Sequence, residues 1–352
     1  MSSSTIVRIG PFSQQIHRRT VVVCALFFAG AVLLAGAGLA LGDYTLSPGG
    51  VIAALRGEGS ARDHLVVNVI RLPRIVLGVV VGVCLAVAGA VVQTTARNSL
   101  ASPDLLGVSA GAGAGAVAAI VLGGTNAAGV GALDVIGTPI AALIGGTLAA
   151  ALVGLLLGFT GTTGLSPLLA GVGVSALFGG LTSWMLTTAS IDDAARANAW
   201  LAGSLGGRGW AEAAAVTVAA VAALVPLVVL SSRLPALELG SSLATSLGYR
   251  VPASVAMLLL LAVVLTSVPV AAAGPIGFIA LVAPHLARLA CRTPRPPLVA
   301  SAVAGAALLL ASDLVARLAL APLLLPTGAV TAVVGAPFLI WLLVRSRRDL
   351  TQ

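Results

Sequence analysis

The stretch RNSLASPDLLGVSAGAGAG, residues 97–115, lies between two long apolar runs and decides the class of fold. It carries an arginine, chain-breaking signals at Asn98 and Pro103, an aspartate, and then a ladder of glycines and other small residues. Backbone that breaks near membrane depth has to be buried in protein or line a watery cavity, because lipid offers its N–H and C=O groups no partner. Glycine ladders let membrane helices approach closely. Interrupted helices near the midplane are how transporters build paths. The stretch points to an all-α, polytopic membrane transport protein.

The composition leads to the same class. Of 352 residues, 59% are hydrophobic and 9% charged, with a mean hydropathy of +1.10. A soluble domain carries about 25% charged residues, so this chain lacks the polar surface that water demands. The net charge of +8 does not indicate nucleic acid. The arginines sit in short connections, as the positive-inside rule expects, with no basic stripe of interleaved aromatics. All 19 basic residues are arginine. A phosphate-cradling P-loop uses a lysine after its glycines, so no standard nucleotide site is expected in this chain. Cys24, Cys84 and Cys291 fit neither a metal site nor a disulfide framework and read as small hydrophobes.

A spanning helix needs about 20 mostly apolar residues. Ten candidate spans meet this: 20–42, 72–95, 105–123, 134–158, 166–188, 210–231, 251–272, 275–291, 298–318 and 325–344. The first is too long for a signal-peptide core and reads as a retained membrane helix. Residues 1–19 and 346–352 are then short tails around a membrane domain of residues 20–345, and both tails lie on one side. Placing them inside puts twelve arginines on the inner side and seven on the outer (Arg56, Arg62, Arg71, Arg74, Arg196, Arg208 and Arg317). That bias favours both termini in the cytoplasm. The longest connections are 43–71 and 189–209, and neither is a soluble domain.

Enzyme readings fail on context. GVSAG, residues 107–111, looks like a nucleophile elbow around Ser109, but the strand-to-helix setting that motif requires is absent. His285 follows Pro284 and precedes Arg288, which marks a membrane boundary. No catalytic residue is assigned. No metal site is assigned either, because the three histidines are scattered without carboxylates at ligand spacing. Asp313 and Arg317 are four apart, share a helix face and can pair. Ionisable residues inside a membrane are functional candidates by default. Arg71 and Arg74 flank Pro73 just before a span.

RLPALELGSSLATSLGYR, residues 233–250, is too polar and too short to span. After Pro235 it has Leu237, Leu239, Leu243 and Leu247 at helical spacing, with Glu238 and several hydroxyl residues between them. The pattern predicts one short amphipathic helix, or two jointed at Gly240, on the inner face. Its polar side lacks the arginines of a lipid-binding helix, which favours a docked protein partner.

These segments, taken in order, resemble the FecCD-type permease subunits of ABC importers for iron-siderophores, haem and vitamin B12. The resemblance covers about residues 65–345. It rests on RLPR at 71–74, GVCLAVAGAVVQ ending at Gln93, the stretch at 97–115, WLAGSL at 200–205, and GPIGFIALVAPHLARL at 274–289. It ends with SDLVARLALAPLLLPTGAVTAVVGAPFLIWLL at 312–343. The resemblance implies a bacterial cytoplasmic-membrane protein. It implies a second permease, identical or homologous, with the path along the shared axis. It also implies an ATP-binding cassette ATPase dimer that binds ATP and Mg beneath, and an extracytoplasmic siderophore-binding protein above. Residues 236–250 match the family's coupling helices, which sit in a groove of the ATPase and here include Leu237, Glu238, Leu239, Leu243 and Leu247. Arg71, Arg74 and Arg317 match the outer arginines that meet acidic residues of the binding protein. Asn98, Gly107, Ser109, Gly111 and Gly115 are assigned to the translocation path, the last two lying with Gly107 on one helix face.

One departure stands out. Where the family usually has Asn-Pro-Leu-Ala, this chain has Asn98, Ser99, Leu100 and Ala101. Serine neither fixes φ nor removes an N–H, so a softer break is expected. Family frequency favours a ferric siderophore as cargo over haem or cobalamin. The alternative from another class, an ion-coupled secondary transporter, needs acidic residues deep in the membrane. Only Asp104 and Asp313 come near that, and both fall close to span ends.

Overall fold

The computed structural model describes residues 4–9, 12–123, 132–160, 166–321 and 323–349. The stretch expected to be a plain N-terminal tail contains an antiparallel hairpin, β1 (Ser4–Ile9) with β2 (Phe12–His17), paired from Ser4↔His17 to Ile9↔Phe12. Every described element after it is a helix. Among the described residues, seven helices are long and apolar enough to cross a membrane, and three shorter apolar helices bring the number to ten.

The first is α1 (Arg18–Ala40), followed by the short α2 (Pro48–Leu55), which Pro48 opens and Ser47 caps by accepting from the Gly50 N–H at 3.1 Å. Next come α3 (Ala61–His64), a wide π-helical segment (Leu65–Arg71) and α4 (Leu72–Thr95), one continuous rod. The sequence places this span's start at 72, but the helix begins eleven residues earlier, at a capping box of Ser60 and Asp63. Pro73 explains the wide turn. Proline offers no N–H and its ring crowds the preceding turn, and here the Leu72 N–H reaches back to the Val67 carbonyl.

The remaining spans are α5 (Val108–Gly123), α6 (Ala132–Thr160) and α7 (Ser166–Thr188), then the short α8 (Ile191–Leu201) and α9 (Trp210–Leu230). Two short helices follow, α10 (Leu234–Glu238) and α11 (Ser241–Ser246). Four spans close the chain: α12 (Val251–Ala273), α13 (Ile279–Cys291), α14 (Leu298–Leu318) and α15 (Thr327–Asp349). The span expected at 275–291 starts four residues late. Gly274 and Phe278 both take left-handed backbone, at φ +75° and +67°, and Pro275 lies between them, so GPIGF is a bent connection.

Helix α4 is the hub. The most apolar part of its rod is 78% buried, against 11% for α1 and for α7. Cys84, Ala88 and Val91 of α4 pack with Leu227 of α9 and with Leu258 and Leu265 of α12. On another side Gly82 meets Gly305 of α14, where a Cβ on Gly82 would fall 2.5 Å from the Gly305 carbonyl oxygen. Close backbone approach of this kind replaces the hydrophobic drive that lipid does not supply. The outer helices turn large apolar side chains outward, Leu33 at 73% and Trp184 at 64% exposure, as lipid-facing surfaces do.

Two ends of the bundle are defined by contacts. At the near end, where α1 begins, Arg19 Nε donates to the Ala290 carbonyl of α13 at 2.7 Å. At the far end, Arg317 Nη1 at the close of α14 donates to the Gly38 carbonyl of α1 at 3.3 Å.

Candidate functional site

The near end carries the segment from α10 to α11. Gly240 divides the two helices at φ +102°, a left-handed value that glycine takes without Cβ strain. This is the joint the sequence suggests. Leu239, Leu243 and Leu247 stand 58%, 55% and 62% exposed, three large apolar side chains on the surface of this segment. Leu237 does not join them. It is buried with Leu234 in the cluster around α4, so its role is to hold α10 to the bundle. Glu238, at the end of α10, faces Arg295 of the α13–α14 connection at 3.9 Å. Burial pushes the Glu238 carboxyl above its ordinary range, and Arg295 opposes that rise.

The chain break before α5 is held without a proline at 99. Asn98 Oδ1 accepts from the Leu100 N–H at 2.9 Å and the Asn98 carbonyl accepts from the Ala101 N–H at 3.1 Å. An asparagine turn of this kind fixes the backbone through its own side chain. Ser109 Oγ donates to Asp104, whose carboxylate also accepts from Ser102 Oγ at 3.3 Å. Ser109 is therefore engaged in a local cap, while His285 of α13 packs edge-on against Phe338, ring centroids 5.7 Å apart. Among the described residues no group of three or more His, Cys, Asp or Glu side chains gathers as a metal site requires.

The glycines assigned to the path are placed differently. A Cβ on Gly111 would lie 2.3 Å from the Gly145 carbonyl oxygen of α6, and one on Gly115 would lie 2.1 Å from that of Ala141. This face of α5 is a seam within the chain, closed by α6. Gly107 caps the turn before α5 at φ +73° and abuts Val174 and Ser175 of α7. Residue spacing identifies the shared face; only the tertiary structure identifies what covers it.

At the far end the arginines read as outward-facing are turned inward. Arg74 grips Asp313 with two nitrogens, Nε at 3.1 Å from both carboxylate oxygens and Nη2 at 2.8 Å from Oδ1. Arg317 lies 3.4 Å from Asp313 Oδ2, and Thr327 Oγ1 donates to Oδ1 at 3.1 Å. Arg71, 6% exposed, donates to the Leu39 and Tyr44 carbonyls, each at 2.6 Å. The Asp313–Arg317 pairing follows from their spacing. The part of Arg74 comes from 239 residues away and had no local signal. Asp313 joins α4, α14 and α15 in one buried knot, while Arg56 and Arg62 remain exposed at the same end.

Comparison with known proteins gives this arrangement a context. Residues 18–345 match the model of the FecCD transport family. The chain is 38% identical over 333 residues to the ferric enterobactin transport system permease FepG of Escherichia coli K12, covering 95% of this chain and 98% of that protein. It is 36% identical to the iron(3+)-hydroxamate import system permease FhuG of Bacillus subtilis, covering 93% and 98%. It is 38% identical to the vitamin B12 import system permease BtuC of Salmonella paratyphi A, covering 96% and 99%. A solved structure described as an inward-facing conformation of a metal-chelate type ABC transporter superposes with a TM-score of 0.79 at 28% identity, over 92% of this chain and 99% of that one.

Proposed function

The chain belongs to the FecCD transport family, and from that membership we propose that it is the membrane-spanning permease of an ATP-driven importer for ferric siderophores. The near end is the cytoplasmic one, supported by the excess of arginines there. An ATPase dimer, which binds ATP and Mg, docks against α10 and α11. A second permease completes the path, and a siderophore-binding protein delivers cargo at the far end. ATP-driven closure of the ATPase pair moves α10 and α11, and the bundle shifts between inward-open and outward-open states. Cargo of this class is supported by the relatives that carry ferric enterobactin and ferric hydroxamates. The equally similar vitamin B12 permease makes cobalamin the alternative.

The exposed leucines of the α10–α11 segment carry this reading. Three exposed leucines, in a segment otherwise rich in hydroxyls, suit a groove in a soluble protein. Leu243→Asp puts a charge into that groove, where an unpaired buried charge costs about 3–5 kcal/mol. The ATPase should then fail to co-purify, or hydrolyse ATP without transport. Normal co-purification with normal uptake would refute the assignment.

Docking of the binding protein at the far end has electrostatic support. Arg74 and Arg317 share one carboxylate, that of Asp313, Arg71 is held by the Leu39 and Tyr44 carbonyls, and the exposed Arg56 and Arg62 add to the positive field. Such a field steers an acidic partner and weakens with salt.

A further inference from the structure

A cavity of about 330 Å³ opens at the near end between the close of α4, the close of α10 and the α13–α14 connection. Its charged lining is three guanidinium groups, Arg97, Arg288 and Arg295, against one carboxylate, Glu238. Glu238 and Arg295 are loosely paired at 3.9 Å, each about one-third exposed. Arg288 Nη2 lies 3.4 Å from His285 Nδ1, a contact that brings no negative charge. Arg97 holds a left-handed backbone at φ +49°, a strained conformation for a side chain of its size. The strain sets its guanidinium beside the Gly240 joint, 3.6 Å from where a Cβ there would be. Among the described residues, two positive charges thus have no carboxylate partner in this recess.

The wall holds a second feature. Gln93, 3% exposed, donates from Nε2 to the Leu281 carbonyl at 3.1 Å. A carbonyl only accepts, so this bond fixes the orientation of the amide. Gln93 Oε1 is left buried with no donor. A buried acceptor without a partner is costly and rare. An anion that also carries a hydroxyl matches both features, the guanidinium groups and the acceptor. Carboxylates and sulfate are ionised at neutral pH and donate nothing. A hydrogen phosphate or a phosphate monoester accepts from arginine forks through its oxygens and, with a second ionisation near 6, is still partly protonated near neutrality. A phospholipid headgroup with a free hydroxyl offers the same chemistry, and basic pockets at helix ends take such headgroups.

We infer that this recess is a phosphate site: Arg97, Arg288 and Arg295 bind the oxyanion, and Gln93 Oε1 accepts from its hydroxyl. Glu238 competes with the anion for Arg295, so occupancy is coupled to the end of α10.

The test uses the full-length chain in nanodiscs of zwitterionic lipid. Inorganic phosphate is titrated at constant ionic strength, beside sulfate, with binding followed by phosphorus NMR and thermal shift. Saturable phosphate binding is expected, with sulfate weaker by about fivefold for the missing hydrogen bond. Arg288→Gln with Arg295→Gln should weaken phosphate by at least about tenfold, whereas Arg56→Gln at the far end should not. Gln93→Met should bring phosphate and sulfate to the same affinity, a readout that a loss of folding does not mimic. A second arm adds phosphatidylglycerol. If phosphate is then displaced, and the arginine variants lose the stabilisation by that lipid, the headgroup is the occupant. If phosphate binds undiminished, the free anion is. The inference is overturned if phosphate does not saturate and the lipid gives no arginine-dependent stabilisation, or if the double arginine variant binds phosphate as tightly as the parent.

Discussion

Asp313 is the residue on which the far end turns. It is 2% exposed and holds Arg74 and Arg317, from α4 and α14, together with Thr327 of α15. Removing one partner of a buried ion pair leaves the other charged and unsolvated, which costs about 3–5 kcal/mol. Asp313→Ala should lower the melting temperature in detergent markedly. The exposed Arg56→Ala, also at the far end, should leave it within error. Equal melting of the two variants would remove the knot from this account. Glu238 offers a test by pH. Burial raises its carboxyl above the ordinary value of 4.5, so the folded chain takes up this proton more readily than the unfolded one. The contribution of this group to stability is then full below 4.5 and is lost as pH rises through the raised value. Glu238→Gln should flatten the melting temperature across that window, and an unchanged slope would mean that the carboxyl titrates as in water.

At the scale of elements, regular helices were legible because apolar run length alone decides them. The expected spans 166–188 and 298–318 coincide with α7 and α14. The joint at Gly240 was legible because glycine breaks a helix for a local reason. The π-helical extension before α4 was not, since 43–71 reads as a connection until Ser60 is seen to cap and Pro73 to widen the turn. The α5 face was half legible. Spacing put Gly107, Gly111 and Gly115 together, but a small-residue face fits a path and a seam equally, and packing against α6 makes it a seam. The cavity around Gln93 was invisible, because it gathers side chains from four separate parts of the chain. The seam predicts a graded response. Gly111→Ala should destabilise the α5–α6 pair by about 1–3 kcal/mol through overpacking, and Gly111→Leu should abolish assembly. Gly154→Ala, on α6, should be silent, since a Cβ there meets nothing within 4 Å. Folded, active Gly111→Leu protein would show that the two helices are not in contact.

On the scale of the whole molecule, the ten apolar helices of the described residues, α4 among them, present two chemically different ends. One has exposed leucines on paired short helices. The other is knotted by buried arginines around one carboxylate. That asymmetry suits a permease driven by a soluble ATPase at one end and loaded by a soluble binding protein at the other. The direct test is uptake of iron-labelled siderophore by a deletion strain carrying either the parent chain or Leu243→Asp at equal membrane levels, with labelled cobalamin in parallel. The account predicts that the parent restores iron uptake and leaves cobalamin unchanged, and that Leu243→Asp restores neither uptake nor ATPase co-purification. Iron uptake that survives deletion of the chain, or that Leu243→Asp supports as well as the parent, would contradict it.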